Sequence, residues 1–152
     1  MKQYDCIVIG GGHAGIEASL ATAKLGFSTL LVSMNLDTIG QMSCNPAIGG
    51  LGKGQLVKEI DALGGFMGIA ADKCAIQFRR LNVSKGPAVR SSRSQQDMQK
   101  YRLFAKQTLE FQENLSLYQA EAADIIVKGG AVKGIRTSLG EEFFCRALII
   151  TA

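Results

Sequence analysis

The feature that most constrains the fold of this chain is a short apolar run followed at once by a glycine-rich turn. Residues 6–9 are apolar and mostly β-branched, which is typical of a parallel strand that is buried on both faces. Gly10, Gly12 and Gly15 then form a G-x-G-x-x-G pattern. A helix over residues 13–25 and a second strand over 27–32 complete a βαβ unit of the length that dinucleotide-binding folds need.

The glycine turn predicts a dinucleotide site, because each glycine has a physical role there. Gly10 permits the tight turn, Gly12 lets a pyrophosphate approach the backbone, and Gly15 lets the helix pack closely against the strand. The start of the helix adds free N–H groups and the positive end of its dipole. The predicted cofactor-binding residues of the turn are Gly10, Gly11, Gly12, His13, Ala14 and Gly15.

The end of the second strand indicates which dinucleotides fit. Ser33, Met34 and Asn35 stand where the fingerprint expects an acid for a ribose hydroxyl, and a hydroxyl or amide binds that ribose more weakly. NADP needs a cation for its 2′-phosphate, but no Lys or Arg lies between Lys24 and Lys53. FAD and NAD therefore both remain.

A second informative stretch is the glycine-rich segment over residues 40–54, which predicts a long functional loop before a helix over 54–63. It is not an NTPase phosphate loop, because Ala47 and Gly54 replace the glycine and the hydroxyl residue that such a loop needs. Cys44 lies in this loop. It is either a nucleophile near a cofactor or an inert thiol, and chemistry alone favours the inert thiol.

The cysteines and the apolar runs indicate the cellular compartment in which the protein is expected. Four widely spaced cysteines and one histidine do not complete a zinc set, so no metal is predicted, and Cys6 and Cys145 read as core thiols. The chain shows no signal peptide and no apolar stretch near the ~20 residues of a membrane span. We therefore expect a reduced, cytoplasmic protein without a membrane partner.

The positive charge of the chain is concentrated in one segment. Residues 73–96 contain six Lys or Arg and no acid, whereas the whole chain has a net charge of +4. This pattern fits a polyanionic partner, with a solvated loop over 84–92 as the alternative. The candidate contacts are Arg79, Lys85, Arg90 and Arg93.

The rest of the chain predicts a parallel sheet that ends in a β-meander. A helix is expected over residues 93–112, a strand over 115–118, a hairpin around 128–131, a strand over 143–145 and a last buried strand that the chain cuts off at its tip. The predicted fold is thus a Rossmann-type α/β domain over residues 1–152, with a loop and helix insertion over 40–95 and a truncated C-terminal end. The meander, by analogy with two-dinucleotide flavoproteins, favours FAD over NAD.

With these residues in view, the chain resembles the N-terminal part of the MnmG (GidA) family of tRNA uridine 5-carboxymethylaminomethyl modification enzymes. The resemblance covers essentially the whole chain. The matching blocks are residues 10–15, 37–54, 56–65, 76–79 and 84–90. The blocks over residues 37–54 and 84–90 are the most specific to the family.

The resemblance implies an enzyme that binds FAD, reduces it with NADH and acts with an MnmE-type GTPase on the wobble uridine of tRNA. Methylenetetrahydrofolate would supply the one-carbon unit, and the protein would be a homodimer. In this family a hydroxyl residue is usual at the position of Ser33, so the missing acid is not a departure from the pattern. The backbone of Ala122 would contact the adenine of FAD. Cys44 becomes a candidate catalytic residue, with Asn45 and Lys53 of the same block. Most of the NADH site would lie outside this fragment, which we expect to be inactive alone.

Two other functions fit the residues without the resemblance. One is a small-molecule FAD-dependent oxidoreductase that has no RNA substrate. The other is a non-enzymatic module that uses a vestigial nucleotide fold to bind a partner.

Overall fold

A computed structural model of the chain describes residues 2–42 and 45–151. It divides into two compact units: unit 1 contains Met1–Gly40 and Lys106–Ala152, and unit 2 contains Gln41–Ala105. The assignment of residues 1–152 to one FAD-binding domain with an insertion over 40–95 stays a prediction.

Unit 1 contains a six-stranded sheet with the order β6-β2-β1-β9-β8-β7. Strands β6, β2, β1 and β9 are parallel to one another, whereas β8 pairs antiparallel with β9 and β7 pairs antiparallel with β8. The predicted α/β class with a mainly parallel sheet and a meander is therefore confirmed. The strands are β1 (Lys2–Ile9), β2 (Thr29–Ser33), β6 (Leu115–Gln119), β7 (Ala122–Lys128), β8 (Ala131–Thr137) and β9 (Glu142–Ile150).

Helix α1 (His13–Lys24) connects β1 to β2 and buries Ile16, Leu20 and Ala23. The β-branched and leucine side chains of the central strands form the core that this helix helps to close, because both faces of a central parallel strand are covered. The helix ends before Gly26, as the sequence predicts. One core cluster contains Ile7, Leu30, Val32, Ile135, Phe143 and Cys145.

The meander bends the sheet back on itself. Strands β6 and β7 lie at opposite ends of the strand order, yet only two residues, 120 and 121, connect them. Because two residues span only about 10 Å between strand ends, the sheet curls until its two edges are close together.

The β7–β8 hairpin and the last strand test two further predictions. Lys128 pairs with Ala131 across a turn in which Gly129 and Gly130 both have positive φ, so the predicted hairpin is confirmed. The separate strand expected over residues 143–145 is wrong as drawn. It is continuous with the last strand, because β9 pairs with β1 from Phe143 to Ile150.

Unit 2 combines a three-stranded antiparallel sheet with helices. Its sheet has the order β3-β5-β4, formed by β3 (Ala47–Gly49), β5 (Ser91–Gln96) and β4 (Ala75–Leu81). Its helices are α2 (Gly54–Ala62), α3 (Met67–Cys74) and the first part of α4 (Met98–Glu110), whose last residues belong to unit 1.

The prediction of a helix from residue 93 is wrong at its start. Residues 91–96 form strand β5, and α4 begins at Met98. The Asp97 carboxylate accepts hydrogen bonds from the backbone N–H groups of Gln99 and Lys100 at 3.0 Å each, so an aspartate cap sets the true start. The expected loop over 84–92 is likewise two residues shorter, because Ser91 and Ser92 pair with β4.

The core of unit 2 forms around aromatic rings. The Phe66 ring stacks on Phe104 with centroids 5.5 Å apart and meets the edge of Tyr101 at 6.2 Å. The leucines of α2 do not enter this core, since Leu56 and Leu63 are 55% and 90% exposed. Among the described residues, no helix is long and apolar enough to span a membrane.

Candidate functional site

The glycine turn lies where β1 ends and α1 begins. Gly10 has φ +107°, a conformation that glycine adopts without strain, and Gly12 is the residue that precedes the first turn of α1. A Cβ placed on Gly12 would meet no atom within 4 Å. The turn therefore leaves open space beside the first N–H groups of the helix, where an anion binds favourably.

Close packing at Gly15 holds this turn in place. A Cβ on Gly15 would collide with the carbonyl oxygen of Gly10, so only glycine fits where the helix passes the turn. Thr151, directly after β9, donates from Oγ1 to the carbonyl of Ile9 at 2.8 Å and lies 3.2 Å from that of Gly10. Thr151 is not among the predicted site residues, because nothing local in the sequence indicates that the end of β9 reaches the glycine turn.

The end of β2 lies beside the same turn. A Cβ on Gly11 would come within 3.0 Å of Ser33 Oγ, and the carbonyl of Gly11 accepts from the N–H of Gly40 at 2.9 Å. The carboxyl ends of β1, β2 and β9 therefore meet at the point where the strand order changes direction. That point is the usual ligand position in an open α/β sheet.

Residues 33–35 form a short, internally bonded loop. Ser33 Oγ donates to the carbonyl of Asn35 at 3.3 Å, and Asn35 Oδ1 accepts from the N–H of Asp37 at 2.8 Å. Met34 is 74% exposed. The loop thus presents the Ser33 oxygen and a flexible apolar side chain beside the turn, while the Asn35 amide caps a 3₁₀ turn over Leu36–Thr38.

His13 begins α1 and is half-buried. Burial lowers the pKa of its imidazole below the usual 6.5, and the nearby Glu17 carboxylate opposes that shift. His13 is therefore neutral at physiological pH, and the first turn of α1 attracts anions through its N–H groups rather than through a side-chain charge.

The remaining predicted cofactor and catalytic residues are placed as follows. Ala122 is half-buried at the start of β7 and packs against the core cluster of unit 1. Asn45 and Lys53 are exposed in unit 2, just before β3 and α2 respectively. Cys44 lies outside the described residues, and its candidate role stays a prediction. Burial raises the pKa of Cys6, Cys74 and Cys145, so the expected core thiols Cys6 and Cys145 are inert at neutral pH.

The structure separates the four basic candidates into two pairs. Arg79 and Arg93 lie directly opposite each other on β4 and β5, so their side chains share one face of the sheet. Lys85 and Arg90 belong to the turn between the strands, where Arg90 Nε donates to the carbonyl of Lys85 at 3.0 Å. Two like charges at directly opposed positions destabilise a sheet unless an anion lies between them.

Charge is also divided between the units. Unit 2 contains ten Lys or Arg against four Asp or Glu, a net charge of +6, whereas unit 1 has a net charge of −2.

Within the described ranges, no group of three or more His, Cys, Asp or Glu side chains could hold a metal ion.

Comparisons with known proteins agree with this geometry. A family model described as glucose inhibited division protein A matches residues 5–152. Two crystal forms of GidA from Aquifex aeolicus are 55% identical in sequence and cover 98% and 99% of this chain, with TM-scores of 0.95 and 0.96. This chain spans about a quarter (25%) of the length of those Aquifex chains.

More distant structures share the fold alone. The GidA-related protein from Thermus thermophilus is 19% identical, with a TM-score of 0.66 over 98% of this chain and 52% of its own. PqsL from Pseudomonas aeruginosa, described as a probable FAD-dependent monooxygenase, is 12% identical, with a TM-score of 0.68 over 97% of this chain and 42% of its own.

Proposed function

Because the chain belongs to the glucose inhibited division protein A family, we propose that it is the FAD-binding part of an enzyme that modifies tRNA. The reaction adds a carboxymethylaminomethyl-type group at C5 of the wobble uridine. The family match over residues 5–152 is the observation that carries this proposal. The open glycine turn supports it, because the turn offers the space and the donors that a dinucleotide pyrophosphate needs.

The residues of unit 1 supply the groups that FAD needs. Residues 10–15 would hold the pyrophosphate, since Gly12 leaves the helix N-terminus open and Gly15 keeps the turn rigid. Ser33 would accept from a ribose hydroxyl, with Met34 and Asn35 beside it, and the backbone of Ala122 would meet the adenine. When bound, FAD supplies electron transfer between NADH and the one-carbon unit of methylenetetrahydrofolate.

Unit 2 supports an RNA substrate. Its net charge of +6 attracts a polyanion, whereas the net charge of unit 1 is −2 and does not. Arg79 and Arg93 would take one phosphate between them, and Lys85 and Arg90 would contact the backbone nearby. An MnmE-type GTPase, a second copy of the protein and a cytoplasmic location complete the proposal.

The test of the proposed function uses the full-length protein and a strain that lacks its gene. The purified protein should show a flavin absorption spectrum, and tRNA from the deletion strain should lack the modified wobble uridine that the wild-type gene restores. Identical nucleosides in the two strains, together with a bound flavin, would instead identify a small-molecule oxidoreductase.

Cys44 is the proposed catalytic thiol, with Asn45 and Lys53 as supporting candidates. If Cys44 takes part in the chemistry, Cys44→Ser should keep FAD and tRNA binding but reduce modification by at least ~100-fold, the scale of losing a nucleophile or an acid–base group. Cys74→Ser is the matched control, because Cys74 is buried and inert. Normal turnover by Cys44→Ser with a lower melting temperature would show a packing role.

A further inference from the structure

Unit 2 contains a cavity that the proposed FAD site does not use. Its volume is about 780 Å³, within the range of roughly 300–1,000 Å³ that small-molecule sites occupy. One face of the β3-β5-β4 sheet, helices α2 and α3, and the turn before β5 surround it, and every lining residue lies between Ile48 and Ser94. The cavity therefore belongs to unit 2 alone.

Hydrogen bonds between different segments fix the walls of this cavity. Ser91 Oγ donates to the carbonyl of Gly50 at 2.6 Å, and the N–H of Gly50 donates to the carbonyl of Ser92 at 2.8 Å. Ser94 Oγ donates to the carbonyl of Ala71 on α3 at 3.4 Å. These hydrogen bonds connect the loop around Gly50, strand β5 and helix α3, so the cavity is formed before a ligand enters.

An aromatic ring and aliphatic side chains form the apolar part of the lining. The Phe78 side chain lines the cavity and is 61% exposed, although phenylalanine side chains are usually buried in the core of a protein. Ile48, Leu51, Val57 and Val89 lie around the same space. An exposed aromatic face in an apolar pocket is a platform on which a flat ring stacks.

The charged groups of the lining are balanced. Lys58 and Arg90 contribute two positive charges, and Asp61 and Asp72 contribute two negative charges. A cavity for a bare phosphate or another simple anion would not contain two carboxylates. The set matches a ligand that has N–H donors for the carboxylates and a separate anionic group for the cations.

We propose that this cavity binds a planar heterocycle whose edge has N–H donors and which bears an anionic group. The ring stacks on Phe78, Asp61 or Asp72 accepts from its N–H groups, and Lys58 and Arg90 hold the anion. An unstacked nucleotide of an RNA and a free pterin with an acidic tail share this chemistry. The assignment rests on the proposed function, because that function supplies both kinds of ligand.

The experiment measures two probes against the full-length protein: an anticodon stem-loop RNA and 5-formyltetrahydrofolate. Phe78→Ala should weaken at least one of them by about fivefold or more, the lower end of the effect of losing a ring that stacks on a base. Phe78→Tyr should retain binding, because it keeps the ring, and Lys58→Gln should weaken the same probe. The matched controls are Ile76→Ala and Arg80→Gln, which alter exposed residues of the same strand outside the cavity.

The two arms identify the source of the ligand. A loss confined to the RNA assigns the cavity to a nucleotide of the substrate, and a loss confined to the folate assigns it to a free heterocycle. If the wild-type protein binds both probes and Phe78→Ala and Lys58→Gln bind them equally well, the cavity proposal is overturned while the proposed function stands. If the wild-type protein binds no tRNA, the proposed function fails, and the cavity proposal then depends on the folate arm.

Discussion

Gly12 and Gly15 belong to the same turn but have opposite surroundings. A Cβ at Gly12 would meet nothing within 4 Å, whereas a Cβ at Gly15 would collide with the carbonyl of Gly10. We therefore expect Gly12→Val to leave the full-length protein folded but without flavin, because the new side chain fills the space of the pyrophosphate. Gly15→Ala should instead lower the free energy of unfolding by about 1–3 kcal/mol through overpacking.

Flavin absorbance and thermal melting on the same preparations distinguish the two variants. Stoichiometric FAD on a folded Gly12→Val protein would remove the glycine turn from the cofactor site. This contrast was readable in the sequence, since the spacing of the glycines already assigns one to ligand approach and one to packing. The contribution of Thr151 was not readable, because its partners Ile9 and Gly10 are more than 140 residues away.

His13 should make the stability of the apo protein depend on pH. Its folded pKa lies below the ordinary 6.5, so the unfolded chain binds a proton more readily than the folded chain as the pH falls below that value. Stability should thus fall between about pH 6.5 and the lower folded pKa, and be unaffected by this group above 6.5. The melting temperature should drop less from pH 7.5 to 5.5 in His13→Gln than in the wild type. Equal drops would exclude His13 as the source.

At the scale of elements, the β4–β5 ladder places Arg79 and Arg93 opposite each other. If they hold a tRNA phosphate, replacing both by Ala should weaken binding and flatten the slope of log K against log salt by about one to two units, from roughly 0.7–0.9 per contact. Arg79→Gln alone should raise the melting temperature without RNA, since it relieves a like-charge pair. Filter binding across a salt series provides the slopes.

Arg80→Ala is the control for charge, because Arg80 is opposite Ser92 and its side chain is on the other face of the same strand. An unchanged slope in the Arg79 and Arg93 double variant would exclude this ladder from the tRNA site. A lost flavin spectrum with an unchanged slope would instead assign the arginines to a cofactor.

The same ladder shows why part of unit 2 was not predicted. Strand β5 is Ser-Ser-Arg-Ser-Gln-Gln, without the β-branched and aromatic residues that indicate a strand, and its neighbours on both sides supply the pairing that its composition does not. The Asp97 cap was a readable signal for the start of α4. In unit 1, strand β2 is buried on both faces, so its apolar run was sufficient to predict it.

Across the whole chain, the sequence shows that residues 73–96 are basic, but the fold defines the larger unit to which this segment belongs. Residues 73–96 carry the excess of charge, and folding groups them with Lys53, Lys58, Lys100 and Arg102 in unit 2. The acidic residues, in contrast, are concentrated in two segments far apart in sequence that form unit 1. A composition summed over the chain hides this division, because +6 and −2 give only +4.

This division predicts which lysines tRNA protects from chemical modification. Lys53 and Lys85 of unit 2 and Lys128 and Lys133 of unit 1 are all exposed, so acetylation of the free full-length protein should reach both pairs. Saturating tRNA should slow acetylation of Lys53 and Lys85 at least about threefold at low salt and leave Lys128 and Lys133 unchanged. Raising the salt to about 0.5 M should abolish the protection, because the contacts depend on counterion release. Mass spectrometry of the modified peptides gives each rate. Equal protection of the two pairs, or protection of unit 1 alone, would refute the assignment of the RNA to unit 2.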